Sequence, residues 1–161
     1  MGWNYDKSKE RIERHIDNMG QIEISKLSRE ADLNGLLTET CCREIYGAHV
    51  YFDLSNFAEM ASEDAPDETG FKGLIQAVHI YQREVARIVE DEDKFDGLRV
   101  HFQGGKLHAL FYRPIDDSNE IAKKAFFLMV VLTDFVANVF NPSFEFYDDF
   151  EGAGGADIGN V

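Results

Sequence analysis

The chain has 161 residues, room for one domain of ordinary size, and 44% of them are apolar, with 13 Phe and 6 Tyr to fill a core. Its 30 acidic residues against 16 basic ones leave a formal charge of −14. That balance argues against a nucleic-acid-binding surface and an anionic-membrane partner, both of which need clustered Lys and Arg.

Residues 5–18 are charged with sparse apolar positions at Ile12 and Ile16, which predicts a short amphipathic helix suited to packing on another subunit. Helix and strand signals compete over residues 19–47, where Ile22, Ile24, Leu27, Leu33, Leu36 and Leu37 are mixed with polar residues. That stretch reads as a lead-in. Cys41 and Cys42 are adjacent, a spacing too strained for a mutual disulfide, and no C-x-x-C occurs; two partly buried thiols in a reducing, cytoplasmic compartment are expected. The charged first residues carry no apolar run, so no signal peptide is expected there.

A first core strand is expected over 48–54 and a helix over 56–63. An acidic loop with Pro and Gly follows over 62–70, then a long helix over 71–91 whose apolar positions share one face. Residues 94–97 read as a turn. Two β-prone runs, 98–103 and 106–113, flank Gly104-Gly105 and predict a hairpin that Pro114 stops. Asp117 and Glu120 resemble a capping box ahead of an apolar helix over 118–140, ended by Asn141-Pro142. Its most apolar part, 125–139, is interrupted by Thr133, Asp134 and Asn138 and reads as too short to span a bilayer. Residues 144–149 are aromatic and acidic, 152–155 read as flexible, and 156–161 read as the opening of a further strand. The order strand, helix, helix, hairpin, helix, strand predicts an α+β fold: a ferredoxin-like βαββαβ core with helices on one face of a mostly antiparallel sheet. The N-terminal helical lead-in (1–47) precedes this core (48–161).

The segment that carries chemistry is His-Val-Tyr-Phe-Asp-Leu-Ser-Asn-Phe at 49–57. Asp53 is a lone carboxylate at the end of an apolar run, costly to bury unless it is paired, hydrogen-bonded or metal-bound. A strand that ends in Asp and turns into a helix start sets that carboxylate beside an anion site, as metal–triphosphate chemistry needs. The simpler alternative is that Asp53 caps the following helix.

The ordered set of Val-Tyr-Phe-Asp-Leu-Ser-Asn-Phe (50–57), Val-His-Phe-Gln-Gly-Gly-Lys-Leu-His-Ala-Leu-Phe (100–111), the helix over 118–140 and Gly-Ala-Asp-Ile-Gly (155–159) resembles the catalytic domain of class III nucleotide cyclases, and among them the Pycsar-type pyrimidine cyclases of bacterial anti-phage defence. The resemblance spans 48–161. It implies conversion of a nucleoside triphosphate, UTP or CTP, to a 3′,5′-cyclic nucleotide and pyrophosphate with Mg²⁺ or Mn²⁺, as an infection signal. It also implies a homodimer with composite sites. Asp53 would be the metal ligand, with the Leu54 backbone carbonyl beside it, and Ser55, Asn56 and Phe57 would offer backbone N–H groups to the triphosphate. His101 stands where purine cyclases carry a base-reading lysine. Tyr51 shares a strand face with Asp53 and would narrow the base pocket toward a pyrimidine. Each has a structural alternative, a half-exposed strand histidine and a core tyrosine; His108 is expected on the second hairpin strand without a role. The acidic balance does not stand against a nucleotide, because a bound divalent cation offsets charge locally.

Two departures matter. Where the family carries a second metal aspartate after the hairpin glycine, this chain has Gly105, leaving Asp157 as the candidate second carboxylate. The family's further strands and helix with base-reading Asn and transition-state Arg are not in this sequence, so a core lacking its C-terminal part is expected. The alternatives to a cyclase are a catalytically silent nucleotide-binding or regulatory domain of the same fold, and an unrelated α+β protein using its acidic surface to bind a basic partner.

Overall fold

A computed structural model describes residues 4–19, 23–26, 41–63, 68–115, 117–144 and 149–160. They fall into two compact units that divide between Ile45 and Tyr46. In the first, α1 (Tyr5–Met19) is the amphipathic helix foreseen, with Ile12 and Ile16 exposed. Over 19–47, where helix and strand signals compete, the described part beyond α1 is strand: β1 (Glu23–Lys26) pairs in parallel with β2 (Cys41–Glu44), Glu23 opposite Cys41. Residues 27–40, with Leu27, Leu33, Leu36 and Leu37, and the Cys41 and Cys42 thiols lie outside what is described.

The second unit is built around β3 (Tyr46–Leu54), which alternates from Ala48 onward. Ala48, Val50, Phe52 and Leu54 are buried, whereas Tyr51 and Asp53 lie on the opposite face. β5 (Lys106–Phe111) and β6 (Gly152–Asn160) flank β3, both antiparallel, and β4 (Leu98–Gln103) lies outside β5. The order β4-β5-β3-β6 is that of a ferredoxin-like βαββαβ sheet. α2 (Phe57–Glu63) and α3 (Glu68–Val89) lead from β3 to β4. α4 (Ser118–Phe135), extended by a π turn (Val136–Phe140) and a 3-10 turn (Asn141–Ser143), leads from β5 to β6. Met60, Leu74, Tyr81, Val85, Leu128 and Leu132 join the apolar side of β3 and β5 in one core, so the helices share one sheet face. Each such side chain contributes about 1.5–3 kcal/mol by leaving water.

Several expectations are corrected. The acidic loop is shorter than foreseen: α3 begins at Glu68, whose charge favours a helix N-terminus, and residues 64–67 lie outside the description. β5 ends at Phe111 rather than 113. Asp117 does cap α4, its carboxylate accepting the Glu120 amide at 3.0 Å. The helical run Ser118–Ser143 is long and apolar enough, by length and composition, to cross a membrane, a property not visible from 125–139 alone. Its Ile121, Ala125, Leu128 and Leu132 are spent on the core, while Phe126, Phe127 and Val130 are exposed.

The largest correction concerns 152–155, which are strand and not a flexible link. A Cβ at Gly152 would lie 2.7 Å from Phe52 Cζ, and one at Gly154 2.9 Å from Phe52 Cδ2. These glycines let β6 lie against a strand carrying a large buried ring. Two asparagines then bind the segment entering β6. Asn56 donates to the Asp149 carbonyl (3.0 Å) and accepts the Glu151 amide (2.9 Å). Asn141 donates to the Phe150 carbonyl and accepts its amide, both at 3.0 Å. Gly154→Val is expected to lower stability by about 1–3 kcal/mol through overpacking on Phe52. The measurement is a urea unfolding midpoint that falls with an unchanged slope.

Candidate active site

The sheet face away from the helices carries Asp53, Tyr51 and His49 from β3, Lys106 and His108 from β5, His101 from β4, and Gly155 and Asp157 from β6. Lys106 Nζ lies 3.4 Å from Asp53 Oδ2, with the lysine side chain 66% and the aspartate 33% exposed. At that exposure the pair adds little stability. Its consequence is chemical: one carboxylate and one ammonium share the floor of an open cleft of about 380 Å³ lined by Tyr51, Ala153, Gly154 and Gly155.

The hairpin tip fixes this geometry. Gly104 takes φ +60°, a conformation glycine adopts freely, and its carbonyl accepts Gln82 Nε2 of α3 at 2.8 Å. The Gly105 carbonyl accepts the Leu54 amide at 3.2 Å. A Cβ at Gly105 would lie 3.0 Å from Leu54 Cβ and 3.5 Å from Phe57 Cβ. The residue after the hairpin glycine is thus a packing position under the end of β3, and a side chain there requires Leu54 to move.

The turn after Asp53 differs in part from expectation. The Ser55 amide donates to the Glu151 carbonyl at 2.8 Å, and Ser55 Oγ donates to the same oxygen at 3.2 Å. The Asn56 carbonyl accepts the Met60 amide at 3.0 Å, so α2 opens on Asn56 and Phe57. The amides at such a start have no partner within the helix. Asp53 is not the cap of α2; its recorded partner is Lys106. The hairpin beside β3 and Asp53 near the end of that strand exclude the unrelated-fold alternative.

Asp157 does not join Asp53. It pairs in register with His49, whereas Asp53 pairs with Ala153. Four residues of strand separate the two carboxylates by about 13 Å. Among the described residues no group of three or more His, Cys, Asp or Glu is arranged to hold a metal ion. What the chain offers in the cleft is a single carboxylate. That set fits a Mg²⁺-type ion held jointly with substrate phosphates and not an all-protein cage.

The base-reading candidates converge on a residue to which the sequence assigned no role. Tyr51 stacks on His108, ring centroids 4.5 Å apart and 5° from parallel. His101 meets His108 edge-on at 5.8 Å. His49 Nδ1 and His108 Nε2 are 2.8 Å apart, one donating and the other accepting. Among the described groups, His49 Nε2 is buried without a hydrogen-bond partner. Burial, then the neighbouring His49 and His101, hold the His108 imidazole below the usual histidine range. Only the register Tyr51↔His108 and His101↔His108 reveals this cluster. On the core side, burial and then the charge of Asp53 push the Tyr81 hydroxyl up.

This sheet order, with a lone carboxylate at the end of the central strand and a glycine hairpin beside it, is the fold of class III cyclase domains. No protein-family model matches the chain. It is 31% identical over 113 residues to the uridylate cyclase of Pseudomonas aeruginosa, an alignment covering 70% of this chain and 21% of that protein. The fold matches a class III adenylyl cyclase-like ATP-binding protein from Pseudomonas aeruginosa with a TM-score of 0.81 and 22% identity, over 99% of this chain and 34% of the other. It also matches the adenylyl cyclase CyaB from P. aeruginosa (TM-score 0.61, 16% identity, 73% of this chain and 57% of the other). The guanylyl cyclase Cya2 matches with TM-score 0.60 and 18% identity, over 73% of this chain and 56% of the other. The chain therefore spans about a fifth of the curated relative.

The His108 environment has a pH signature. Its pKa lies below the unfolded value near 6.5. Below that pH the unfolded chain binds the extra proton more readily, so stability is lost as pH falls through the histidine range and is unaffected above it. The groups around it are His49, Tyr51, His101 and, opposite His49, Asp157. The thermal midpoint of the wild type should fall more steeply between about pH 7 and 5 than that of His108→Phe; equal slopes would contradict the assignment.

Proposed function

We propose that the full-length protein is a nucleotide cyclase acting on a pyrimidine nucleoside triphosphate, UTP or CTP. The observation that carries this is the Asp53–Lys106 pair at the end of β3, beside the opening of α2, in a domain of class III cyclase fold. The identity to a uridylate cyclase supports the pyrimidine preference. In the reaction the ribose 3′-oxygen attacks the α-phosphorus, the bond to the β-phosphate bridging oxygen breaks, pyrophosphate leaves, and the 3′-hydroxyl proton passes to water. Asp53, with the Leu54 carbonyl, would hold Mg²⁺ or Mn²⁺, which when bound favours ionisation of the attacking hydroxyl and offsets the leaving charge. Lys106 places a positive charge against the phosphates, and the Asn56 and Phe57 amides receive them at the helix start. Since the Ser55 amide already serves Glu151, Ser55 shapes the turn in this reading. Tyr51 and His101 contribute to base recognition. A homodimer would complete the site, because the cleft is open on the sheet face and holds one carboxylate. By its resemblance to Pycsar-type enzymes, the product would serve as a signal in anti-phage defence.

A second reading, a silent nucleotide-binding or regulatory domain, is favoured by one observation: Gly105 packs on Leu54 where a second metal carboxylate would stand. Incubation of the full-length protein with each NTP and Mg²⁺ or Mn²⁺, with mass-spectrometric detection of products, separates the two. Cyclic UMP or cyclic CMP should form, and Asp53→Asn should reduce its rate at least about 100-fold. Nucleotide binding with no cyclic product from any NTP would establish the silent domain instead.

A further inference from the structure

α4 meets the core with Ile121, Ala125, Leu128 and Leu132, and its opposite side carries a second ridge that the described residues leave uncovered. Lys123, Phe127, Val130 and Asp134 are spaced by four, three and four residues, so they stand one above another along the helix. The two middle residues are large and apolar: Phe127 is 60% and Val130 48% exposed, with Phe126 beside them at 65%. Phe127 leans on the buried Phe95, ring centroids 6.2 Å apart, so its ring is braced from the core side. The ends of the ridge carry opposite charges about 16 Å apart. Lys123 has a side chain that is 74% exposed and lies 3.4 Å from Glu120 on its own helix. Asp134 is exposed and accepts Asn138 Nδ2 at 2.8 Å.

We propose that this ridge is a self-complementary interface, and that its occupant is α4 of a second copy of this chain, packed antiparallel across a two-fold axis. The axis falls between Leu128 and Met129. In that register Lys123 meets Asp134 of the second copy, Phe127 meets Val130, and both contacts recur by symmetry. The four-three-four spacing is that of a coiled-coil seam. Parallel pairing would set Lys123 on Lys123 and Asp134 on Asp134, so the charges select the antiparallel arrangement. They also disfavour other occupants: an acidic peptide would meet Asp134, and an anionic lipid surface would meet a chain of formal charge −14. The ridge is about three turns long, too short for the roughly 800 Å² per partner of a stable interface, so the association is weak and depends on concentration. It faces away from the sheet, whereas the Asp53 cleft opens on the other sheet face. A dimer formed through that open face would keep both ridges free, and the α4 contact would join such dimers.

The test uses the full-length protein in sedimentation velocity over the micromolar concentration range. The wild type should pass reversibly to a species of twice the mass as concentration rises. Val130→Glu should raise the dissociation constant of that step at least about tenfold at an unchanged thermal midpoint, since the new charge stands in solvent in the separate copies and faces Phe127 in the complex. Lys123→Asp and Asp134→Lys should each weaken the step at least about tenfold, because each sets like charges opposite one another twice. An equimolar mixture of those two variants should associate as the wild type does, since each copy then offers the charge that the other lacks. A wild type whose mass is constant over the range overturns the proposal, and so does a mixture that associates no better than its components. If Val130→Glu lowers the thermal midpoint and leaves the mass distribution unchanged, another part of the same chain covers the ridge and the proposal is wrong. Wild-type binding to phosphatidylcholine vesicles that Val130→Glu abolishes, with no self-association, would assign the ridge to a lipid surface in its place.

Discussion

The end of β3 is held from both sides, and the candidate site follows from that. On one side the Leu54 amide donates to the Gly105 carbonyl at the hairpin tip; on the other the Ser55 amide donates to the Glu151 carbonyl before β6. Asp53 precedes both anchors and cannot change its place without breaking one of them. The tip is itself tied to α3 through Gln82, and the 149–151 segment to the residue before α2, Asn56, and to the 3-10 turn through Asn141. Hydrogen bonds of this sort are worth about 1 kcal/mol each. Their effect here is geometric: they set Lys106 and the α2 start around one carboxylate.

Alternation along β3 from Ala48 to Leu54 divides labour between the two faces. Ala48, Val50, Phe52 and Leu54 are essentially inaccessible and commit the strand to the helices. A one-residue slip would expose all four and bury Asp53, so the register is among the best-determined features of the domain. The core therefore stabilises the display of polar groups on the other face without touching them. Tyr81 is the link between the layers: it is wholly buried, among the described groups its hydroxyl has no hydrogen-bond partner, and it senses the charge of Asp53 across the strand.

How much was legible in the sequence depends on whether a feature is local. The strand at 48–54, the hairpin around Gly104-Gly105 and the helix capped by Asp117 carry their own periodicity or turn chemistry, and all three stand within a few residues of expectation. The first half of β6 is not legible as strand because glycines carry no alternation; their meaning lies in Phe52, a hundred residues earlier in the chain. Asn56 looked like a helix-start residue, yet its side chain acts on a backbone 93 residues away. The contacts of His108 are hidden in the sequence for the same reason. No local pattern reveals that His49, Tyr51 and His101 all meet it, because that follows from strand register alone. Asp157, locally plausible as a partner of Asp53, is removed by the same register.

The charge balance makes the Gly105 position intelligible. A chain of formal charge −14 repels a triphosphate at long range, but screening confines that field to about 8 Å at physiological salt. What decides binding is therefore the charge within the cleft, where Asp53 is offset by Lys106. A second carboxylate at position 105 would tip the cleft of a single chain to net negative before any cation arrived. With glycine there, the Leu54 and Phe57 side chains close over the hairpin, and the following residue, Lys106, is the one that reaches the carboxylate. Glycine at position 105 thus leaves a neutral ion pair in the cleft. An anionic ligand can enter such a pair with its own cation, and any second acidic group must come from outside the residues that line this cleft.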